Sequence, residues 1–373
     1  MFYNLVEAQR LLASSILQVF ESNTLFDDWT VFGAARKYTC NLLKEHPKPV
    51  FNVGIEPVVV MRKPFCNLLN FPKPGKPTLL IFAPLSGHHA TLLNGTVAEF
   101  VKDYNVYITD WIDASAVSVE HGEFGFSDYV EYSKEFIKAL NGPHLLAICQ
   151  PGVPVVAALA LLGREGYQTK SLTLMGSPID TRLSPTKVNE FADQHDMDWF
   201  RQNVIHTVPV TKAGFGRKVY PGFIQLSGFM MNNLERHMQA YRKYFNNLLE
   251  GNEKDVKKHE EFYDEYLSVL DMDAKFYLET IEYIFKEYLL PEGKLYVGDE
   301  LVEPIYIECP VLCVEGEKDD ITGIGQTKAV LDLVSSNVKQ YSLVPGVGHY
   351  GLFNGKHFQG EIAPMVRDFH NKI

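Results

Sequence analysis

The feature that most restricts the fold of this chain is a regular alternation of apolar runs with helical patterns. The runs in "KPTLLIFAPLSG", "YNVYITDW", "HLLAIC" and "SLTLMGSP" have the composition of buried strands. Between them lie "HATLLNGTVAEFVKD", "DYVEYSKEFIKALNG" and "VPVVAALALLGREG", which have the apolar spacing of helices. Strands that alternate with helices of about 10 to 15 residues predict an α/β fold with a mainly parallel sheet and helices on both faces.

The alternation is interrupted between residues 182 and 303. Charged and aromatic residues recur there at helical spacing, as in "NNLERHMQAYRKYFNNLLEG". It resumes with "CPVLCVEGEKDD" as a strand, "GIGQTKAVLDLVSS" as a helix and "VKQYSLVPG" as a final strand. We therefore expect an N-terminal helical segment at residues 1–50, an α/β core at 51–181 and 304–373, and a helical insertion at 182–303.

The charge balance narrows the classes of partner. Acidic residues outnumber basic ones, 46 against 35, which gives a formal net charge of −11. Nucleic acids and anionic membranes are bound by basic faces, so both are disfavoured as partners.

The N-terminal stretch "MFYNLVEAQRLLASSILQVF" lacks the basic region of a signal peptide. Leu5, Ala8, Leu12, Ile16 and Val19 recur at helical spacing, which predicts an amphipathic helix. The run "VPVVAALALL" is far shorter than the roughly 18 residues of a membrane-spanning helix. We expect a soluble cytoplasmic protein.

The cysteines do not form a metal-binding pattern. There are five of them, an odd number, and no second pair completes a zinc site with the two that lie four positions apart. Reduced thiols are therefore expected, and no metal or cofactor is predicted. The five are Cys40, Cys66, Cys149, Cys309 and Cys313.

Reactive side chains follow three of the predicted strands. In an open α/β sheet, functional groups lie at the carboxyl ends of the strands. Three such ends carry Cys149, the pair Asp319 and Asp320, and His349. Their order along the chain, nucleophile, acid and histidine, is that of the α/β-hydrolase fold, which we predict here with an inserted helical subdomain.

The neighbours of Cys149 suit a strained turn between a strand and a helix. Ala147 lies two positions before it and Gly152 three positions after, where small side chains are needed, whereas Pro151 departs from the usual small residue. A proline is tolerated in the first helical turn. The alternative is a thiol that belongs to the core, since unpaired cysteine is among the most buried residue types. No G-x-S-x-G sequence offers a competing serine.

Three aspartates are candidates for the acid of the triad, and His349 is the candidate for the base. Asp319, three positions after Gly316, is favoured over Asp320 as the acid, and Asp180 after "LMGSPI" is a further candidate. Each of them could instead be a surface aspartate or a helix N-cap. His349 lies in the glycine-rich loop "GVGHYG" after the last strand, the position of the base in this chain order.

Two backbone N–H groups are expected to form an oxyanion hole. One belongs to Gln150, the residue after the nucleophile, and the other comes from the loop "PLSGHH", with Ser86 preferred and Leu85 as the alternative. His88 and His89 could contact substrate or cap the next helix, and they lack a spaced third metal ligand. A cysteine nucleophile forms a thioester, which can pass its acyl group to water, an alcohol or a thiol. The residues therefore predict acyl transfer more firmly than hydrolysis.

Several motifs resemble those of one enzyme family. "AICQPGVPV", "VEGEKDDITGIGQT" and "GVGHYGLFNG" resemble the bacterial intracellular polyhydroxyalkanoate (poly-3-hydroxybutyrate) depolymerases, as do "PLSGHHATLLNGTV", "TDWIDA", "YPGFIQLSGFM" and "MDAKFYLETI". The resemblance covers nearly the whole chain. It implies an α/β-hydrolase fold, a triad of Cys149, His349 and Asp319, and release of hydroxyacid monomers or oligomers from amorphous polyester in the cell.

The resemblance also implies a setting for the enzyme. The partners would be the polyester and the surface of its storage granules in the cytoplasm, and whether the chain forms homo-oligomers is left open. The insertion would form a lid whose aromatic side chains supply an apolar groove or build its own core. Trp111 in "TDWID" is a candidate for a substrate contact, together with His88.

Two other functions stay open. In polyester synthases the turn that carries the nucleophile has the sequence G-x-C-x-G, whereas this chain has A-x-C-x-P. A synthase-like or coenzyme A-dependent acyltransferase that uses the same cysteine is therefore the alternative function. A non-catalytic protein that coats granules is the third.

Overall fold

A twisted eight-stranded sheet forms the centre of the molecule. The computed structural model describes residues 2–21, 31–232 and 234–373. The strands of this sheet are β1 (Val58–Arg62), β2 (Cys66–Phe71), β3 (Thr78–Phe82), β4 (Asn105–Trp111), β5 (His144–Ile148), β6 (Ser171–Met175), β12 (Val311–Gly316) and β13 (Lys339–Val344).

The strand order is β1-β2-β4-β3-β5-β6-β12-β13. β1 and β2 pair antiparallel, and β2 pairs antiparallel with β4, whereas the pairs from β4 through β13 are parallel. This confirms the predicted α/β fold with a mainly parallel sheet. Because parallel strands point their carboxyl ends to one edge, the residues that follow β3, β5, β6, β12 and β13 meet there.

Outside the insertion, the helices belong to the core and to the N-terminal segment. Two one-turn π-helical segments, Ile281–Lys286 and Phe358–Ile362, continue the helices Ala274–Thr280 and Gly355–His357. The helices outside the insertion are α1 (Phe2–Glu21), α2 (Val31–Leu43), α3 (Asn94–Phe100), α4 (Phe126–Ala139), α5 (Gly152–Arg164), α12 (Val330–Leu333), α13 (Gly355–His357) and α14 (Ala363–Asn371).

The stretch between β6 and β12 is helical for most of its length, with five short strands. β7, β8 and β9 form a small antiparallel sheet, and β10 pairs with β11. Strands of two or three residues are too short to show a period of two, so they cannot be recognised in the sequence. The elements are α6 (Lys187–Asp193), α7 (Met197–Asn203), β7 (His206–Thr207), β8 (Lys218–Tyr220), α8 (Gly222–Asn232), α9 (Leu234–Glu250), α10 (Glu253–Leu267), β9 (Met272–Asp273), α11 (Ala274–Thr280), β10 (Tyr296–Val297) and β11 (Glu300–Leu301).

The centre of the core is formed by β5, β6, β12 and α5. Every residue of the three strands is buried, as are the first eleven residues of α5. Strands covered by helices on both faces carry continuous apolar runs, which is why they are recognisable in the sequence. This rigid centre holds the turn that joins β5 to α5.

The N-terminal segment contains the two helices α1 and α2, and the expected helical character of residues 22–30 falls outside the described residues. In α1, Leu12 and Ile16 are exposed, and the side chains of Leu5 and Val19 lie outside the description. The Tyr3 hydroxyl donates a hydrogen bond to Asp271 Oδ2 at 2.5 Å and so joins α1 to the insertion.

The helix predicted for "GIGQTKAVLDLVSS" is wrong for most of its length, because only α12 is helical there. The preceding residues form turns around the buried carboxylate of Glu315. That carboxylate accepts hydrogen bonds from the N–H groups of Gly325, Thr327 and Lys328 at 2.7 to 2.9 Å. Satisfying a buried charge outweighs the helical preference of the segment.

Candidate active site

Cys149 occupies a sharp turn directly after β5. Its backbone has φ of +66°, the left-handed region that residues with a Cβ rarely adopt, which costs about 1–2 kcal/mol. Its N–H donates to the Met175 carbonyl at 2.8 Å, so the turn is fixed to the end of β6. The thiol is half-buried.

Small neighbours make this turn feasible, as the sequence indicates. Ala147 is fully buried, and a Cβ at Gly152 would lie only 2.4 Å from Ser177 Cβ. Pro151 has φ of −64° just before α5, which its ring allows.

His349 and Asp319 form a buried pair beside this turn. His349 Nδ1 lies 2.7 Å from Asp319 Oδ2, and both side chains are almost completely buried. The other carboxylate oxygen of Asp319 accepts from the N–H groups of Ile321 and Thr322 at 2.9 and 2.8 Å. The carboxylate is therefore held in one orientation from both sides.

The electrostatics of His349 reflect its two neighbours. Burial by itself lowers the pKa of His349, because it penalises the charged ring. The charges of Cys149 and Asp319, together with hydrogen bonds to both side chains, raise the pKa of His349 well above its ordinary value. Because Nδ1 faces Asp319, Nε2 is the ring nitrogen left for another partner.

The other two acid candidates do not contact His349. Asp320 is exposed. The Asp180 carboxylate pairs with the Arg182 guanidinium at 2.8 Å, and the hydrogen bonds from Arg182 lower the pKa of Asp180. Asp319 is thus the carboxylate that the fold brings to the histidine.

The loop after β3 faces the turn at Cys149. The Leu85 N–H donates to Gln150 Oε1 at 3.2 Å, so this N–H is already occupied. The N–H groups of Ser86 and Gln150 have no acceptor within the described part of the chain. These are the two N–H groups that the sequence favours as oxyanion donors.

The loop after β3 also contacts the insertion. The Gly87 carbonyl accepts from the Leu270 N–H at 2.7 Å, and His88 forms a β-bridge with Val269. His88 Nε2 lies 3.1 Å from the Tyr266 carbonyl oxygen. A Cβ at Gly87, where φ is +99°, would overlap the side chain of Gln225 from α8. The insertion therefore packs directly on this loop.

The expected substrate contacts of His88 and Trp111 are not supported. Trp111 is 1% exposed, its Nε1–H donates to the Ala83 carbonyl at 2.9 Å, and its ring packs on Tyr129 with centroids 4.5 Å apart. His88 is buried against Tyr266, and burial lowers its pKa. Both side chains are thus buried and packed against other residues of the protein.

His89 neither caps a helix through its side chain nor reaches solvent. It precedes the 3₁₀ turn Ala90–Leu93 with no side-chain capping bond, and its Nδ1 is buried without a partner among the described residues. Burial, with contributions from Lys48 and His88, lowers the pKa of His89 to about 4. It is a neutral histidine at neutral pH.

Two residues at the site were not singled out from the sequence. A Cβ at Gly176, just after β6, would lie 3.2 Å from both Asp319 Oδ2 and His349 Cε1. Its place at a strand end in "LMGSP" was the available signal. The other is Tyr350, whose ring lies edge-on to the ring of His349 with centroids 6.1 Å apart.

Within the described ranges, no group of three His, Cys, Asp or Glu side chains could hold a metal ion. Across the same ranges, none of the helices combines the length and apolar character needed to cross a membrane.

A comparison with known protein families identifies the family of the chain. A family model described as the PHB de-polymerase C-terminus matches residues 176–373. The chain belongs to this family. The matched part includes Asp319, His349 and the insertion, whereas Cys149 lies before it.

One curated relative is the poly(3-hydroxyalkanoate) polymerase subunit PhaC of Haloferax mediterranei. It is 22% identical over 273 residues, which cover 72% of this chain and 52% of the relative. The chain thus spans about half the length of that relative.

Two solved structures can be superposed on the chain. The mouse α/β hydrolase domain-containing protein 10 superposes with a TM-score of 0.50 at 12% identity, covering 85% of this chain and 99% of that one. A monoacylglycerol lipase from Paleococcus ferrophilus gives a TM-score of 0.44 at 13% identity, covering 80% of this chain and 96% of that one. With the strand order of the main sheet, the first match confirms the predicted α/β-hydrolase fold.

Proposed function

We propose that the protein is an intracellular depolymerase that cleaves the ester bonds of amorphous poly-3-hydroxybutyrate through a thioester on Cys149. It would release 3-hydroxyacid monomers or oligomers. The observation that carries this proposal is the left-handed turn at Cys149, together with the buried pair of His349 and Asp319, whose Nδ1 and Oδ2 atoms lie 2.7 Å apart. Membership of the PHB de-polymerase C-terminus family supports the polyester as the substrate.

The first half of the reaction forms the acyl-enzyme. His349 takes the thiol proton of Cys149, and the sulfur attacks the ester carbonyl carbon. The N–H groups of Gln150 and Ser86 stabilise the negative charge on the carbonyl oxygen. The carbon–oxygen bond to the leaving chain then breaks, and that oxygen receives the proton from His349 as the new hydroxyl end of the polymer.

The second half returns the enzyme to its starting state. His349 takes a proton from water, and the hydroxide attacks the thioester carbonyl carbon. The carbon–sulfur bond breaks, the hydroxyacid leaves, and the thiolate of Cys149 regains the proton. Asp319 orients the ring of His349 and stabilises its charged form throughout. The raised pKa of His349 is consistent with this role, because it favours the imidazolium that each step forms.

Release of 3-hydroxybutyrate from amorphous granules tests the proposal. Cys149→Ala should abolish release, whereas Cys40→Ala, which removes another half-buried thiol, should leave it unchanged. Medium-chain polymer in a parallel assay defines the preferred side-chain length. Full activity of Cys149→Ala would refute both the mechanism and the role of the thiol.

The acid is tested by three matched substitutions to asparagine. Asp319→Asn should lower kcat by about 10⁴, because the amide no longer holds the correct tautomer of His349. Asp320→Asn and Asp180→Asn should stay within a few-fold of the parent enzyme. A loss confined to Asp180→Asn would mean that the acid follows β6 instead of β12.

A second candidate function is acyl transfer to a thiol or an alcohol. The match to a polymerase subunit favours it, and a thioester can pass its acyl group to either acceptor. Adding coenzyme A to the granule assay separates the two functions. Hydrolysis yields free hydroxyacid at an unchanged rate, whereas transfer yields hydroxyacyl-CoA at the expense of the acid.

The proposed place of action is the cytoplasm, at the surface of polyester storage granules. Sedimentation of the Cys149→Ala variant with amorphous granules measures this association without consuming the polymer. Retention of that variant in the soluble fraction would argue against a granule partner, and binding without turnover by the parent protein would favour a coating protein.

A further inference from the structure

The side chain of Gln150 joins the turn at Cys149 to the loop after β3. Gln150 Oε1 accepts a hydrogen bond from the Leu85 N–H at 3.2 Å, although the two residues are 65 positions apart. Gln150 is 7% exposed and Leu85 is 5% exposed, so this bond is shielded from water. The next N–H along the loop is that of Ser86.

The bond has two consequences for the proposed oxyanion hole. It occupies the Leu85 N–H and thereby leaves Ser86 as the donor on this loop. It also fixes the loop to the same residue whose own backbone N–H is the other donor. One side chain thus sets the separation between the two N–H groups.

We propose that Gln150 is a positioning residue that holds the Ser86 N–H at the distance from its own N–H at which both bind the oxyanion. The inference rests on the proposed function. Oxyanion donors stabilise the developing charge only when they are held in place before the reaction, within hydrogen-bond distance of the oxygen. If the loop moves by a fraction of an ångström, we therefore expect kcat to fall while substrate binding is retained.

The loop has other anchors, so loss of this bond should leave the fold intact. Gly87 and His88 pair with Leu270 and Val269 of the insertion independently of Gln150. Before these pairs, the Ala83 N–H donates to Thr109 Oγ1 at 2.9 Å. Only the short stretch between these anchors depends on Gln150.

The amide of Gln150 makes a clean substitution feasible. Its Nε2 is buried and has no hydrogen-bond partner in the described part of the chain. Replacement by methionine, which has nearly the same shape, removes the bond to Leu85 and sacrifices no other. Gln150→Asn retains an amide but is one methylene shorter, and so tests the same bond with a different shape.

The experiment compares two reactions at Cys149. Turnover of a soluble 3-hydroxybutyrate oligomer needs the oxyanion hole, whereas alkylation by iodoacetamide displaces iodide and develops no oxyanion. For Gln150→Met we expect kcat to fall about tenfold or more, less than the roughly 10²–10³ of a deleted donor, with KM within about twofold. The alkylation rate of Cys149, followed by mass spectrometry, should stay within about twofold of the parent.

Gln326→Met is the matched control. Gln326 is also buried, donates from its side-chain amide to the backbone carbonyls of Leu183 at 2.9 Å and Ser184 at 3.5 Å, and leaves its Oε1 without a partner among the described residues. It should retain the kcat of the parent. Gln150→Asn should reproduce the loss seen with Gln150→Met.

The outcomes separate this inference from the function on which it rests. An unchanged kcat in Gln150→Met, or kcat and alkylation falling in parallel, overturns the positioning role of Gln150. If Cys149→Ala retains turnover, the proposed function itself fails. If Cys149→Ala is inactive while Gln150→Met is fully active, only the inference about Gln150 fails.

Discussion

A buried guanidinium that joins the insertion to the core gives the sharpest prediction about stability. Arg217 follows β7 and is 4% exposed, and its ion pair with Asp273 is buried on both sides. Each of its three side-chain nitrogens donates at least one hydrogen bond. The acceptors are the carbonyl oxygens of Val117 at 3.0 Å, Gly122 at 2.6 Å and Ser118 at 2.6 Å, and Asp273 Oδ2 at 2.8 Å.

Arg217→Met removes the charge but keeps an apolar side chain of similar length. Asp273 then becomes a buried carboxylate without a counterion, in a place where burial already raises its pKa. Removing one partner of a buried ion pair costs about 3–5 kcal/mol. With an unfolding entropy of about 2.1 cal/mol/K per residue, that cost lowers the Tm of a 373-residue chain by about 4–6 °C.

Calorimetry or urea unfolding measures the loss, and a double variant tests its cause. Asp273→Asn removes the charge and keeps an oxygen for the Lys275 N–H, which donates to Asp273 Oδ1 at 3.0 Å. Arg217→Met with Asp273→Asn should therefore recover about half of the loss. Arg201→Met, which breaks an exposed pair with Asp198, should cost less than about 1 kcal/mol. A double variant no more stable than Arg217→Met alone would refute the electrostatic reasoning.

Two further predictions concern pH and the geometry of the site. His144 and His370 stack in the core with centroids 4.1 Å apart, and burial lowers their pKa values to about 4 and about 3. In the unfolded chain these histidines bind protons near pH 6.5, so the free energy of unfolding should fall as the pH drops below 6.5. The expected loss is about 2 kcal/mol per histidine at pH 5. His370→Gln should remove about half of the resulting slope of Tm against pH. Gly176→Ala places a Cβ 3.2 Å from the ring of His349 and should lower kcat roughly tenfold or more. The control Gly293→Ala has a similar positive φ but lies in open space, so it should lose only about 1 kcal/mol of stability and no activity.

The elements that sequence predicts well are those whose environment is uniform along their length. β5, β6 and the first eleven residues of α5 are buried, and their runs of apolar residues can be recognised without knowledge of their partners. The segment before α12 shows the opposite case. Its helical pattern is overruled by the buried carboxylate of Glu315, which lies on a neighbouring strand.

The candidate site also has features that local sequence predicts and features that depend on tertiary packing. Cys149 and His349 are suggested by strand ends, small neighbours and chain order, all of which are local features. The geometry at Cys149 and the 2.7 Å contact of His349 with Asp319 agree with that suggestion, while the roles of the three residues stay predictions. Trp111 shows the limit of such reasoning, because a strand-end tryptophan belongs to the core or to the site according to what packs on it.

The sequence by itself therefore determined the class of fold, the family and the residues at the ends of the strands, since each depends on residue types at short spacing. The tertiary structure decided which of two adjacent aspartates meets the histidine, which N–H groups of the loop are available, and how the insertion holds that loop. Those choices depend on contacts such as Leu85 with Gln150 and His88 with Tyr266, which join residues 65 and 178 positions apart. No local pattern encodes contacts of that separation, because they exist only after the sheet has brought the strand ends together.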